Sequence, residues 1–230
     1  MENQDQKQLA GAIMVAGIII AGAILLKDSV PPSNTRNNGN NPNPFETTQL
    51  KAVDKNDHIL GNKNAEIVII EYSDTECPYC KIFHTTMHDL IKQRGDEVAW
   101  VYRHFPITQL HPKAPKQAEA TECAWEQGGN ETFWKYVDRL FAITPSNNGL
   151  PDEELTNIAD YIGLNSASFY TCLESGKYKN KVDQDVTSGI KAGVRGTPNS
   201  FILKNGVVVD TLPGTAPLEI ILQKIDAIKD

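Results

Sequence analysis

Val68-Ile69-Ile70-Glu71-Tyr72-Ser73-Asp74-Thr75-Glu76-Cys77-Pro78-Tyr79-Cys80 is the stretch that decides the fold. A short apolar run of strand type leads into a Cys-x-x-Cys pair, and Pro78 to about Arg94 reads as a helix. Both thiols therefore sit at a helix N-terminus, where unpaired backbone N–H groups and the helix dipole favour a thiolate. The thiolate is the nucleophile in disulfide exchange, so Cys77 would attack and Cys80 would resolve the mixed disulfide. One Cys-x-x-Cys between a strand and a helix points to dithiol redox chemistry, whereas two such pairs are the usual zinc signature.

Working outward, Glu66 to Tyr72 reads as a strand, the helix follows, and Val98 to Tyr102 reads as a second strand. This is a β-α-β unit with buried parallel strands. Farther on, Phe201-Ile202-Leu203 and Val207-Val208-Val209 flank Lys204-Asn205-Gly206, and Asn-Gly predicts a tight hairpin. A last helix is expected from about Pro217, with Leu218, Ile221, Leu222, Ile225 and Ile228 on one face. Between the halves, about residues 113–192, the pattern is helical. Phe133, Trp134, Val137, Leu140 and Phe141 recur at helical spacing, as do Leu155, Ile158, Ala159 and Ile162, and Gly163 and Gly176 read as helix stops. Several helices are thus inserted into a small α/β core.

The chain has 230 residues, 40% of them hydrophobic, and a formal net charge of −7. That suits one ordinary globular core plus extra segments and gives no footing for nucleic acid. Residues 1–8 form a short tail. From Leu9 to Leu26 no side chain is charged or strongly polar, and 18 helical residues span about 27 Å, close to a hydrocarbon core of about 30 Å. Residues 9–26 are therefore expected to be a retained single-pass membrane anchor. The rival is a cleavable signal, whose small-x-small site would be Ala21-Gly22-Ala23, but that triplet lies inside the apolar run. Residues 27–50, with Pro31, Pro32, Pro42 and Pro44 among many asparagines, hold too little apolar surface to fold and read as a disordered linker. Residues 51–230 form the folded domain.

Cys123 and Cys172 lie in the helical insertion, outside any short chelating spacing. A membrane segment implies an oxidising compartment, so a structural disulfide is expected, with two buried thiols as the alternative. Cys77, Cys80, His84 and His88 offer a non-enzyme reading, a metal-binding module. On one helix, however, Cys80 and His88 stand about 12 Å apart along the axis, whereas zinc ligands lie about 2.0–2.3 Å from one ion. His84 and His88 read instead as exposed helix residues, and His58, His104 and His111 show no catalytic pairing. No metal and no cofactor are expected.

Several short stretches, Asp74-Thr75-Glu76-Cys77-Pro78-Tyr79-Cys80, Arg103-His104-Phe105-Pro106, Cys123-Ala124-x-x-Gln127-Gly128 and Val194-Arg195-Gly196-Thr197-Pro198, occur in an order that resembles the DsbA-like branch of the thioredoxin superfamily. The likeness runs from about His58 to the C-terminus, and is greatest to membrane-anchored or secreted bacterial oxidoreductases of the DsbA/BdbD type. It implies a thioredoxin fold with an inserted helical domain, and a cis bond before Pro198 in a loop beside Cys77. The backbone of Thr197 would pair with an extended substrate, with Pro78 and Tyr79 at the same surface. An exposed backbone edge reads main-chain groups, so it accepts many sequences. The resemblance also places Glu71 beneath the resolving cysteine, where burial would raise its pKa toward the working pH and suit it to take the Cys80 proton. The implied activity is disulfide insertion into unfolded exported proteins, on the extracytoplasmic side of the cell membrane. A membrane partner of the DsbB or vitamin-K-epoxide-reductase type would reoxidise the pair. Pro78-Tyr79 between the cysteines also resembles glutaredoxins and a DsbG-like isomerase branch, so reductase or isomerase activity is the alternative.

Overall fold

The computed structural model describes residues 49–229. The expected anchor at 9–26 and almost all of the expected linker lie outside the described residues, and no helix among the described residues is long and apolar enough to cross a membrane. In chain order the elements are β1 (His58–Gly61), β2 (Ile67–Ser73), α1 (Pro78–Arg94), β3 (Val98–His104), α2 (Ala114–Ile143), α3 (Glu154–Tyr161), α4 (Ser166–Glu174), α5 (Lys179–Lys191), β4 (Asn199–Lys204), β5 (Val207–Pro213) and α6 (Leu218–Lys229). Among the described residues, the five strands form one sheet in the order β1-β3-β2-β4-β5. Only β2 and β3 run parallel, joined through α1, and the other neighbours are antiparallel. This is the thioredoxin-like arrangement, with four helices, α2 to α5, between β3 and β4.

The central strand is apolar on both faces because both faces are covered. Ile67 and Ile69 of β2 pack with Phe83, Met87 and Leu90 of α1 and Ile221 and Ile225 of α6. Ile70 and Tyr72 point the other way, against Phe105, Val194 and Phe201. Burying each of the large α1 side chains contributes about 1.5–3 kcal/mol. The β4–β5 connection turns through Asn205 and Gly206, both at positive φ (51° and 79°), as a two-residue hairpin requires.

The inserted helices have a core of their own, in which Tyr136 and Leu140 meet Leu155, Ile158, Phe169 and Leu173. The disulfide between Cys123 and Cys172 closes across it, tying α2 to α4. α2 is two helical arms meeting at Gly129, whose φ of 72° and ψ of −152° leave the helical region. The first arm builds the insertion, and the second carries Phe133, Trp134 and Val137 back into the main core. On α5, Gly189 lies against the sheet layer so closely that a Cβ there would stand 2.7 Å from the Phe105 ring and 2.9 Å from that of Tyr72.

Two features depart from expectation. β1 is an edge strand pairing antiparallel with β3, His58 opposite Tyr102, where no strand is legible in the sequence. The boundary at residue 50 is also too late, since Leu50 packs against the Ile70–Tyr72 cluster. The carbonyls of Lys51 and Ala52 accept from Arg103, whose guanidinium donates twice more to Asp57, at 2.8 and 2.9 Å.

Candidate active site

Cys77 is the N-cap of α1, in extended conformation (φ −79°, ψ 121°), and Pro78 opens the helix. Proline suits that position because its φ is already helical and its missing N–H would have had no partner. The next donors, the N–H groups of Tyr79 and Cys80, therefore turn toward the Cys77 sulfur. Both cysteines are free, with Cys77 5% exposed and Cys80 wholly covered.

The partner loop arrives from the other half of the chain. β2 pairs with β4 in the register Tyr72 to Asn199, which places the cis Thr197–Pro198 bond beside the head of α1. The Cys77 thiol donates to the Thr197 carbonyl oxygen at 3.4 Å. Tyr79 and Ile82 of the first helical turns are largely exposed, and Pro78 is half-buried. The expected site residues 77, 78, 79, 80, 197 and 198 thus share one end of the sheet.

The two sulfurs have opposite electrostatics. A hydrogen bond from the Cys80 thiol, helped by the N–H groups of Cys80 and Tyr79 and by the side chain of Thr197, brings the Cys77 pKa down to about 6 against the effect of burial. Cys80 is pushed well above the usual thiol value by burial first, then by donating to Cys77 and by the negative charges of Cys77 and Glu71. Glu71 itself is fully buried, and desolvation raises its pKa to about 7 although Ser73 and Trp100 pull the other way. Its Oε2 accepts from the indole N–H of Trp100 at 2.9 Å. The covered Cys80 thiol therefore has near it a carboxyl group whose pKa is about 7.

A supporting layer escapes sequence reasoning. The carboxylate of Asp74 accepts from the N–H groups of Glu76 and Ile107 and lies 2.9 Å from His111 Nδ1, which fixes the loop before Cys77. The Asp74 N–H in turn points at Cys80 Sγ, 3.4 Å away. Glu76 is pinned by Gln117 and by the N–H of Asn148. Apart from the contacts of Asp74 with Glu76 and Cys80, these partners lie 33 to 72 positions apart in sequence, so no local motif announces them.

The histidines also correct the sequence reading. His84 is buried rather than exposed, and with the half-buried His88 it converges on Asp138. His58 and His104 share Oε1 of buried Glu122, at 2.8 and 2.9 Å. Their two charge-stabilising contacts hold the Glu122 carboxyl well below the usual range even though burial pushes it up. Among the described residues, neither Cys77 nor Cys80 joins a cluster of three or more potential metal ligands, so the Cys77, Cys80, His84, His88 tetrad does not assemble.

A protein-family model described as thioredoxin matches residues 53–224, and the chain belongs to that family. Within it the chain is DsbA-like. Its fold is similar to DsbA2 of Pseudomonas aeruginosa, at 29% identity and a TM-score of 0.67, covering 77% of this chain and 97% of that one. Oxidised BdbD of Bacillus subtilis has the same fold at 18% identity and a TM-score of 0.68, covering 79% and 97% of the two chains. Among curated proteins, a Na(+)/H(+) antiporter NhaA of Herminiimonas arsenicoxydans is 34% identical over 146 residues, 64% of this chain and 22% of the antiporter. The chain spans about a fifth of the length of such antiporters. The shared part is shorter than the thioredoxin match, and the transport in their name is said of those proteins.

Proposed function

We propose that the chain is a membrane-tethered thiol:disulfide oxidoreductase that inserts disulfides into exported proteins as they emerge unfolded. Residues 9–26 would be the anchor, 27 to about 50 the tether, and the domain that follows would act on the extracytoplasmic side of the cell membrane. The observation that carries this reading is the asymmetry of the two thiols, with Cys77 brought down to about 6 and Cys80 pushed up. A stabilised thiolate stabilises the reduced enzyme, and a stabilised reduced form makes the disulfide an oxidant.

In the cycle, a substrate thiolate attacks Sγ of Cys77 in the Cys77–Cys80 disulfide. The sulfur–sulfur bond breaks, and Cys80 leaves as a thiolate that takes up a proton. A second substrate thiolate then attacks the substrate sulfur of the mixed disulfide and expels Cys77, a good leaving group because its pKa is low. The substrate has lost two electrons and gained a disulfide, and the enzyme holds a dithiol. The Thr197 backbone beside cis Pro198 is the proposed docking edge for the substrate segment, flanked by Pro78 and Tyr79. Glu71 is the proposed base for Cys80 when the pair is reoxidised by a quinone-linked membrane partner of the DsbB or vitamin-K-epoxide-reductase type.

The reduction potential tests this directly. Thioredoxin lies at about −270 mV and DsbA at about −120 mV, a gap of roughly 7 kcal/mol for two electrons. A value near the upper figure is expected, and one near the lower would make the protein a reductase. A Cys80→Ser chain should also trap substrates through Cys77, and recovery of cytoplasmic proteins alone would overturn the proposed side of action.

A further inference from the structure

We propose that His84, His88 and Asp138 form a binding site for a divalent transition-metal ion, with Zn²⁺ as the reference ion, separate from the dithiol. His84 and His88 stand four residues apart on α1, so their rings project from one face. Their centroids lie 4.7 Å apart. Asp138 comes from the second arm of α2, and both Nε2 atoms approach the same Oδ1, at 2.8 and 2.7 Å. Three donors from two elements thus converge within a distance at which one ion can touch them all.

The geometry is close to what a metal needs without being collapsed onto it. Zinc binds imidazole nitrogen at about 2.0–2.1 Å, which in a tetrahedron sets ligands about 3.3 Å apart, so Oδ1 must withdraw about half an ångström from each ring. Asp138 is able to make that movement, because its side chain is 42% exposed. The deeper ligand is held in place: the His84 ring lies 5.2 Å from the Trp100 ring and 4.6 Å from that of Phe141. The three groups line a cleft of about 380 Å³, which leaves a fourth position for water. Lys81 is the cation on its lining, and its ammonium is engaged by the Thr144 carbonyl at 2.6 Å. Two imidazoles and one carboxylate select zinc, nickel, cobalt or copper over magnesium or calcium.

The second histidine cluster does not share these properties. The atoms of His58, His104 and Glu122 are enclosed, and the Lys181 ammonium stands 3.7 Å from the very carboxylate oxygen that a metal would use. At the His84 site, His84 Nδ1 is buried without a hydrogen-bond partner among the described residues. Such outer hydrogen bonds usually strengthen metal ligands by about 10–100-fold, so binding is expected to be reversible and weaker than at closed structural zinc sites. An ion held there would clip α1, the helix of the dithiol, to the returning arm of α2.

The test uses the full chain in detergent, without a polyhistidine tag and with Cys77–Cys80 oxidised so that neither sulfur can bind metal. Zinc chloride titrated by calorimetry should bind one ion per chain and raise the melting temperature as it saturates. His88→Ala and Asp138→Asn should each weaken binding by about tenfold or more and remove the thermal shift, while melting as before without metal. The imidazole resonances of His84 and His88 should move together on titration. Absence of stoichiometric uptake, or uptake undiminished in Asp138→Asn, would overturn the site. Should His88→Ala melt early without metal, the Asp138→Asn result decides alone.

Discussion

The indole N–H of Trp100 donates to Glu71 Oε2 at 2.9 Å, a hydrogen bond between neighbouring parallel strands and wholly inside the core. The bond orients a carboxyl group whose pKa burial has raised to about 7. Folding therefore favours the protonated form. The fold loses stability as pH rises from the ordinary value of 4.5 through 7.

Glu71→Gln preserves the acceptor for Trp100 and removes the charge. The variant should be more stable than the parent above pH 7, by on the order of 3 kcal/mol, and equal to it below pH 4.5. Attack by Cys80 on a Cys77 mixed disulfide should slow by about 100-fold if the carboxylate acts as base. Denaturant melts across pH and stopped-flow thiol exchange measure the two effects. A variant with unchanged exchange rates would restrict Glu71 to a packing role.

Cys77 acts in the opposite direction. Its pKa falls on folding, from 9.0 to about 6, so it stabilises the reduced native state fully above pH 9, and this stabilisation is lost as pH drops through 6. In the oxidised protein neither cysteine titrates. The stability of the reduced form relative to the oxidised one should therefore increase by about 1.4 kcal/mol per pH unit between pH 6 and 9. Thiolate absorbance should titrate with a midpoint near 6, moving upward in Cys80→Ala, which removes the strongest hydrogen bond to the sulfur.

The Cys123–Cys172 bridge joins residues 49 apart. In the chain-entropy account a loop of that length adds about 4 kcal/mol. The double Cys→Ala variant should melt about 10 °C lower while retaining thiol exchange through Cys77 at lower temperature. Scanning calorimetry and an insulin-type disulfide assay separate the two outcomes, and loss of exchange below the melt would mean that the second pair takes part in redox transfer.

Arg103 and Asp57 form a doubly hydrogen-bonded pair with side chains 0% and 1% exposed. Removing one partner leaves the other charge buried. Asp57→Asn should cost roughly 3–5 kcal/mol, measured as a lowered denaturant midpoint, with little change in Cys77 titration.

Much of the frame was legible because its signals are local. The apolar run of β2, the proline at the head of α1, the Asn205-Gly206 turn and the amphipathic last helix each depend on neighbours within a few positions. β1 was not legible, since His58–Gly61 is four residues long and owes its strand form to pairing with β3 across 38 to 44 positions. The dithiol was evident in sequence, but the burial of Glu71 rested on resemblance. The links from Asp74 to His111, from Glu76 to Asn148 and from the histidines to Asp138 and Glu122 arise only when distant segments meet. His84, which reads as a surface residue, is in fact interior, and these polar groups are paired by the fold rather than by spacing.

At position 189 what the fold requires is the lack of atoms. With only hydrogen facing the rings of Tyr72 and Phe105, α5 docks at backbone distance, and even a methyl group would lever the helix outward. Substitution tolerance across this domain should therefore be inverted from what side-chain chemistry suggests. A residue that presents nothing to solvent, charge or sulfur would rank among the least replaceable, and a mutational survey would flag it before most of the charged surface.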